Sequence, residues 1–128
     1  MKITALYAAL LALLFLVLSF RVVGLRRARK LALGWGNFSD LERAIAAHSN
    51  FAEYIPLALM LLFSLESLGA ARWALHVLGG ALLIGRCLHS FGVSQNREDL
   101  RFRVAGMIMT FTAIGLSVLG ALYLVATA

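Results

Sequence analysis

The uncharged run from Val104 to Ala128 constrains this chain more than any other stretch. It is longer than the roughly 20 apolar residues a helix needs to cross a bilayer. In hydrocarbon each backbone N–H and C=O must be satisfied within the segment, so a lone run of this kind is a helix. A second run, Ile3 to Phe20, is also free of charge and gives about 27 Å of helix, just enough to span. It shows no small-residue cleavage site followed by a soluble domain, and so reads as a span and not as a removed leader. Two further apolar stretches lie between them. The expected fold is all-α: one integral membrane domain over residues 1–128. It is a four-transmembrane-helix bundle with helices at about 3–24, 39–69, 72–93 and 101–126.

Composition agrees, at 62% hydrophobic and 14% charged. The formal charge of +6 does not point to nucleic acid in so apolar a chain, because basic loops beside spans follow from the positive-inside rule. Arg21, Arg26, Arg27, Arg29, Lys30 and Arg43 flank the first long loop, and Arg97, Arg101 and Arg103 flank the third. Lys2 and Arg72 stand alone at the other connections. Both long loops are therefore expected in the cytoplasm and both termini in the periplasm.

Local signals place the helix ends and faces. Gly34 and Gly36 break the chain after the first span, and Trp35 suits the interface. Ser39-Asp40-Leu41-Glu42 has the capping-box pattern and starts the second helix at Ser39. Pro56 is tolerable inside a membrane helix, where a kink would shape a cavity. Ala5, Ala8, Ala9 and Ala12, then Gly79, Gly80, Ala81 and Gly85, then Ala113, Ser117 and Ala121 form small-residue faces. Such faces suit close helix packing, and burial against neighbouring subunits is expected for them. The lone Cys87 excludes an intramolecular disulfide and reads as a small buried apolar residue.

The polar residues that interrupt the apolar runs carry the chemistry. At about 100° per residue, Arg43, Asn50 and Tyr54 share one helical stripe, with Glu53 beside it. Such groups are costly against lipid, so they should face protein or a wet pocket. His48 falls on the opposite side and reads as packing. Glu66 lies near the far end, where a polar interface is expected. Arg86 and His89 share a face of the third helix, with Arg86 expected to point inward. No metal site is expected, because no histidine has neighbouring ligands at metal spacing. Arginines hold carboxylates in bidentate pairs, Asn50 can donate and accept, and Glu53 can receive an ammonium. A zwitterionic peptide with two carboxylates, such as glutathione, fits that inventory. A guanidinium near its sulfur would favour the nucleophilic thiolate. A buried polar network that only ties helices together fits the same residues equally well.

The core Asn50-x-x-Glu53-Tyr54-x-Pro56, with Arg43 seven residues upstream, is joined by Arg86-x-x-His89-x-x-Gly92 on the third helix. Together they resemble the family of membrane-associated proteins in eicosanoid and glutathione metabolism, most of all its small bacterial members. The resemblance implies a homotrimer in the bacterial inner membrane. It implies glutathione as co-substrate, bound between neighbouring subunits near the cytoplasmic end. It assigns Arg26, Asn50, Glu53, Tyr54, Arg86 and His89 to binding and Arg103 to thiol activation. Many relatives carry an arginine four residues before the asparagine; here that position is Ala46, and Arg43, about one turn earlier, is the guanidinium placed to substitute. The expected function is a glutathione-dependent transferase or peroxidase acting on a lipophilic electrophile that enters from the membrane lipid. The alternative is a non-catalytic membrane protein binding a small anion or lipid headgroup in the same pocket. A channel or transporter is weaker, since no paired inverted repeats are present.

Overall fold

The computed structural model describes residues 1–95 and 100–128; Arg97 lies outside the described residues. Four helices follow in order: α1 (Lys2–Arg29), α2 (Ser39–Ser67), α3 (Arg72–Ser94) and α4 (Leu100–Thr127). No strand occurs among the described residues. All four are long and apolar enough to cross a membrane. At 1.5 Å per residue they run about 35–44 Å, against a hydrocarbon core of roughly 30 Å.

Successive helices run up and down. Level pairs fix the register: Glu66 of α2 meets Ile3 and Thr4 of α1, and His48 meets Ser19. The shared interior is Leu11, Leu18, Phe51, Ile55, Leu62, Leu75, Leu82 and Ala113. The outer faces stay apolar and exposed, as at Leu13, Val17, Leu57, Met60, Ile108 and Leu119. That inside-out surface is what a bilayer-embedded chain requires.

The tightest seam joins α3 and α4, where glycines remove the side chains that would hold the backbones apart. A Cβ on Gly106 would collide with the carbonyl oxygen of Gly85 and come within 2.6 Å of the His89 nitrogen. A Cβ on Gly92 would lie 2.8 Å from the backbone nitrogen of Arg103. On α1, the Tyr7 ring lies over Gly79, and its hydroxyl is 2.9 Å from His76 Nδ1.

Four expectations need correction. Helix α1 does not stop at residue 24 but continues to Arg29. Leu25 to Arg29 are good helix formers, and nothing crowds Gly24. The helix ends in a left-handed Lys30, with Leu31 N–H bonded to the Arg26 carbonyl at 2.9 Å. The second helix does start at Ser39, but Phe38 occupies the cap position and the capping-box side-chain bonds are not made. Asp40 instead accepts from Leu41 N–H at 2.8 Å and from Arg29 at 2.9 Å, with Arg29 lying over the Phe38 ring. Cys87 is exposed, because Arg86 and His89 take the inward face of α3. Finally, the small residues of α3 and α4 serve the subunit itself: Gly79, Gly85, Ala113 and Ser117 are buried within the single chain. On α1, Ala5, Ala9 and Ala12 do remain exposed.

Candidate functional site

Asn50 projects from the middle of α2 toward α3, one turn before Tyr54 on the same stripe. Facing it is Arg86, whose side chain is fully buried at 0% exposure. Arg86 Nη2 donates to Asn50 Oδ1 at 2.6 Å and lies 3.3 Å from His89 Nδ1. Nη1 reaches the Met107 sulfur of α4 at 3.4 Å, and the Phe51 ring centroid lies 5.9 Å from Cζ. A guanidinium only donates, so Nδ1 of His89 accepts and its ring proton sits on Nε2. Arg86 Nε is buried without a partner, and among the described residues no carboxylate pairs with this cation. A permanently charged group held only by dipoles and a thioether is an anion-seeking arrangement. Tyr54 sits edge-on to Phe111 of α4, with ring centroids 5.3 Å apart.

A second polar group lies toward the long-loop end. Ser39, Glu42, Arg43, Ala46, Val93 and Arg103 line a cavity of about 270 Å³ between α2, α3 and α4. Arg43 Nη1 donates to the Val93 carbonyl at 3.2 Å, and Arg21 Nη2 to the Ser94 carbonyl at 3.3 Å. The two arginines thus satisfy carbonyls in the last turn of α3, the negative end of its dipole. The bare backbone at Gly92 lets the first turn of α4 approach, which brings Arg103 to this cavity. Ala46 lines the same wall as Arg43, so the guanidinium one turn earlier shares the space the shorter side chain leaves open.

The structure therefore brings Asn50, Arg86 and His89 into one cluster and Arg43 and Arg103 into one cavity. It leaves three expected residues outside both: Tyr54 packs on Phe111 of α4, and Arg26 and Glu53 stand apart. Arg26 Nη1 donates to the Gly34 carbonyl at 2.6 Å and holds the first loop. Glu53 is exposed on α2 and makes no hydrogen bond or ion pair among the described residues. His48 is a packing residue, as its position opposite the stripe indicated: it lies 3.1 Å from the Ser19 hydroxyl and stacks on Phe15. Two contributions were not foreseen. Met107 carried no sequence signal, being one apolar residue in an apolar run. Arg21 was read only as part of a basic flank.

Four spanning helices with an arginine, an asparagine and a histidine joined inside them define a small polytopic membrane protein of the MAPEG type. The MAPEG family pattern matches residues 4–123, and the chain belongs to that family. It is 43% identical over 121 residues to the inner membrane protein YecN of Escherichia coli K12, covering 94% of this chain and 91% of YecN. The YecN protein of an Escherichia coli O6:H1 strain matches with the same identity and coverage.

Proposed function

We propose that this MAPEG protein is a homotrimeric enzyme that joins glutathione to, or reduces with it, a lipophilic electrophile drawn from the bilayer. The observation that carries the reading is the buried Arg86 guanidinium, which orders Asn50 and His89 without a carboxylate of its own. Beside it, Arg43 and Arg103 line an open polar cavity at the same end of the bundle. Arginines suit the carboxylates of a glutathionyl peptide, and a guanidinium such as Arg103 near its sulfur would favour the thiolate. Glu53, exposed on a spanning helix, is available to an ammonium or to a neighbouring subunit. Such a carboxylate is costly against lipid, which favours a trimer that covers it. The family's glutathione-related transferases support the same reading.

The second reading, a non-catalytic protein holding a small anion or lipid headgroup in this pocket, is favoured by one feature. Ala46 stands where many relatives place an arginine, and Arg43 is already engaged with the Val93 carbonyl. Turnover of a chlorinated aromatic acceptor by the detergent-purified protein, with glutathione supplied, separates the two. Product formation above the uncatalysed rate supports the enzyme; binding without turnover supports the second reading.

A further inference from the structure

At the opposite end of the bundle, away from this site, a polar cavity of about 410 Å³ is lined by Met1, Lys2, Ile3, Glu66, Ala70, Arg72 and Leu75. Its carboxylate is already committed. Glu66 Oε1 lies 3.0 Å from the terminal ammonium of Met1 and accepts from Ile3 N–H, while Oε2 accepts from Thr4 N–H at 2.8 Å. Lys2 and Arg72 are both exposed, and neither has a hydrogen-bond or ion-pair partner among the described residues. The cavity therefore keeps two unanswered cations.

Ala70 also lines a second space, an apolar groove of about 450 Å³ between α3, α4 and the end of α2. Its walls include Leu65, Val77, Leu78, Leu116 and Leu124, with the exposed rings of Trp73 and Tyr123 at its sides. Trp and Tyr favour the headgroup level of a membrane. The cationic cavity and the hydrocarbon-lined furrow thus adjoin at Ala70, the residue they share just before the start of α3.

We propose that this pair of spaces is a binding site for one anionic phospholipid. Lys2 and Arg72 hold the phosphate, and an acyl chain lies in the groove beside Leu78, Leu116 and Gly120. Charge selects the occupant: a neutral headgroup leaves both cations unanswered, and basic residues near a membrane surface each favour an anionic lipid by about fivefold.

Native mass spectrometry of the delipidated protein, after addition of equal amounts of phosphatidylglycerol and phosphatidylcholine, tests it. The expected result is one retained lipid per subunit, with phosphatidylglycerol favoured by at least about fivefold. The double variant Lys2→Ala/Arg72→Ala should bind both lipids equally. Gly120→Phe, which fills the groove where a Cβ would lie 3.3 Å from Leu65 Cδ2, should lose both. Equal retention of the two lipids by the parent overturns the proposal, as does undiminished selectivity in the double variant. So does an assembled oligomer that retains no lipid because a second copy covers the groove. Both cations are exposed, so the double variant should fold as the parent does.

Discussion

Arg86 Nη2 and Asn50 Oδ1 lie 2.6 Å apart across the α2–α3 seam, joining a fully buried guanidinium to a half-buried carboxamide. The bond makes the stability of the bundle and the shape of the site one problem. Removing Asn50 leaves a fully buried guanidinium without its shortest hydrogen bond.

Asn50→Ala is therefore expected to destabilise the protein by about 2–3 kcal/mol, because a buried guanidinium loses its best acceptor. Arg86→Met with Asn50→Leu should recover most of that loss, since apolar replacement of both partners is often neutral or better. Thermal unfolding in detergent measures both variants. Glutathione binding should be lost in both, which would separate the structural role of the pair from its role at the site.

Gly106→Ala should cost about 1–3 kcal/mol, because its methyl would collide with the Gly85 carbonyl and crowd His89. Gly115→Ala, on the same helix but facing open space, should be neutral or stabilising by about 0.5–1 kcal/mol. Equal unfolding temperatures for the two variants would show that the α3–α4 seam is looser than described.

Arg103→Ala should leave the fold intact, since the residue is exposed at the first turn of α4. If it holds the glutathione sulfur as thiolate, the bound thiol's pKa should rise toward its free value of about 8.5. Thiolate absorbance and turnover at neutral pH should then fall together, with binding little changed, the pattern of an interaction made with the reactive form. Unchanged turnover would shift the role to Arg101.

Assembly has its own test. Three subunits are expected by native mass spectrometry in mild detergent, with the exposed Ala5, Ala9 and Ala12 face of α1 among the contacts. A clean monomer would leave Glu53 facing lipid and remove the shared pocket.

Both termini are proposed to be periplasmic, from the cations around the two long loops. A C-terminal reporter active only in the cytoplasm should be silent, and a bright one would reverse the orientation.

Much of this architecture was legible because it follows from hydropathy alone. The uncharged runs gave α1 and α4. The stripe Arg43, Asn50, Tyr54 is only half-buried, at the margin of the α2 face that Ala47, Phe51, Ile55 and Leu62 bury. The expected inward direction of Arg86 matches its full burial on α3. What escaped depended on partners distant in sequence. Arg43 answers carbonyls fifty residues away at the end of α3, and nothing in its own neighbourhood announces that. Cys87 was read as a small buried apolar residue, yet the inward direction of α3 is taken by Arg86 and His89. The Ser39 capping box failed because Phe38 takes the cap position and Ser39 already lies within the first turn.

Glu66 has a bearing on how the chain is made. The first-turn amides of α1 find their acceptor in a carboxylate more than sixty residues downstream. During synthesis the leading helix must enter the bilayer with that end unfinished. That end gains its carboxylate acceptor once the last turn of α2 has left the ribosome and come alongside. The first hairpin is thus latched at its far end by a residue from the last turn of α2.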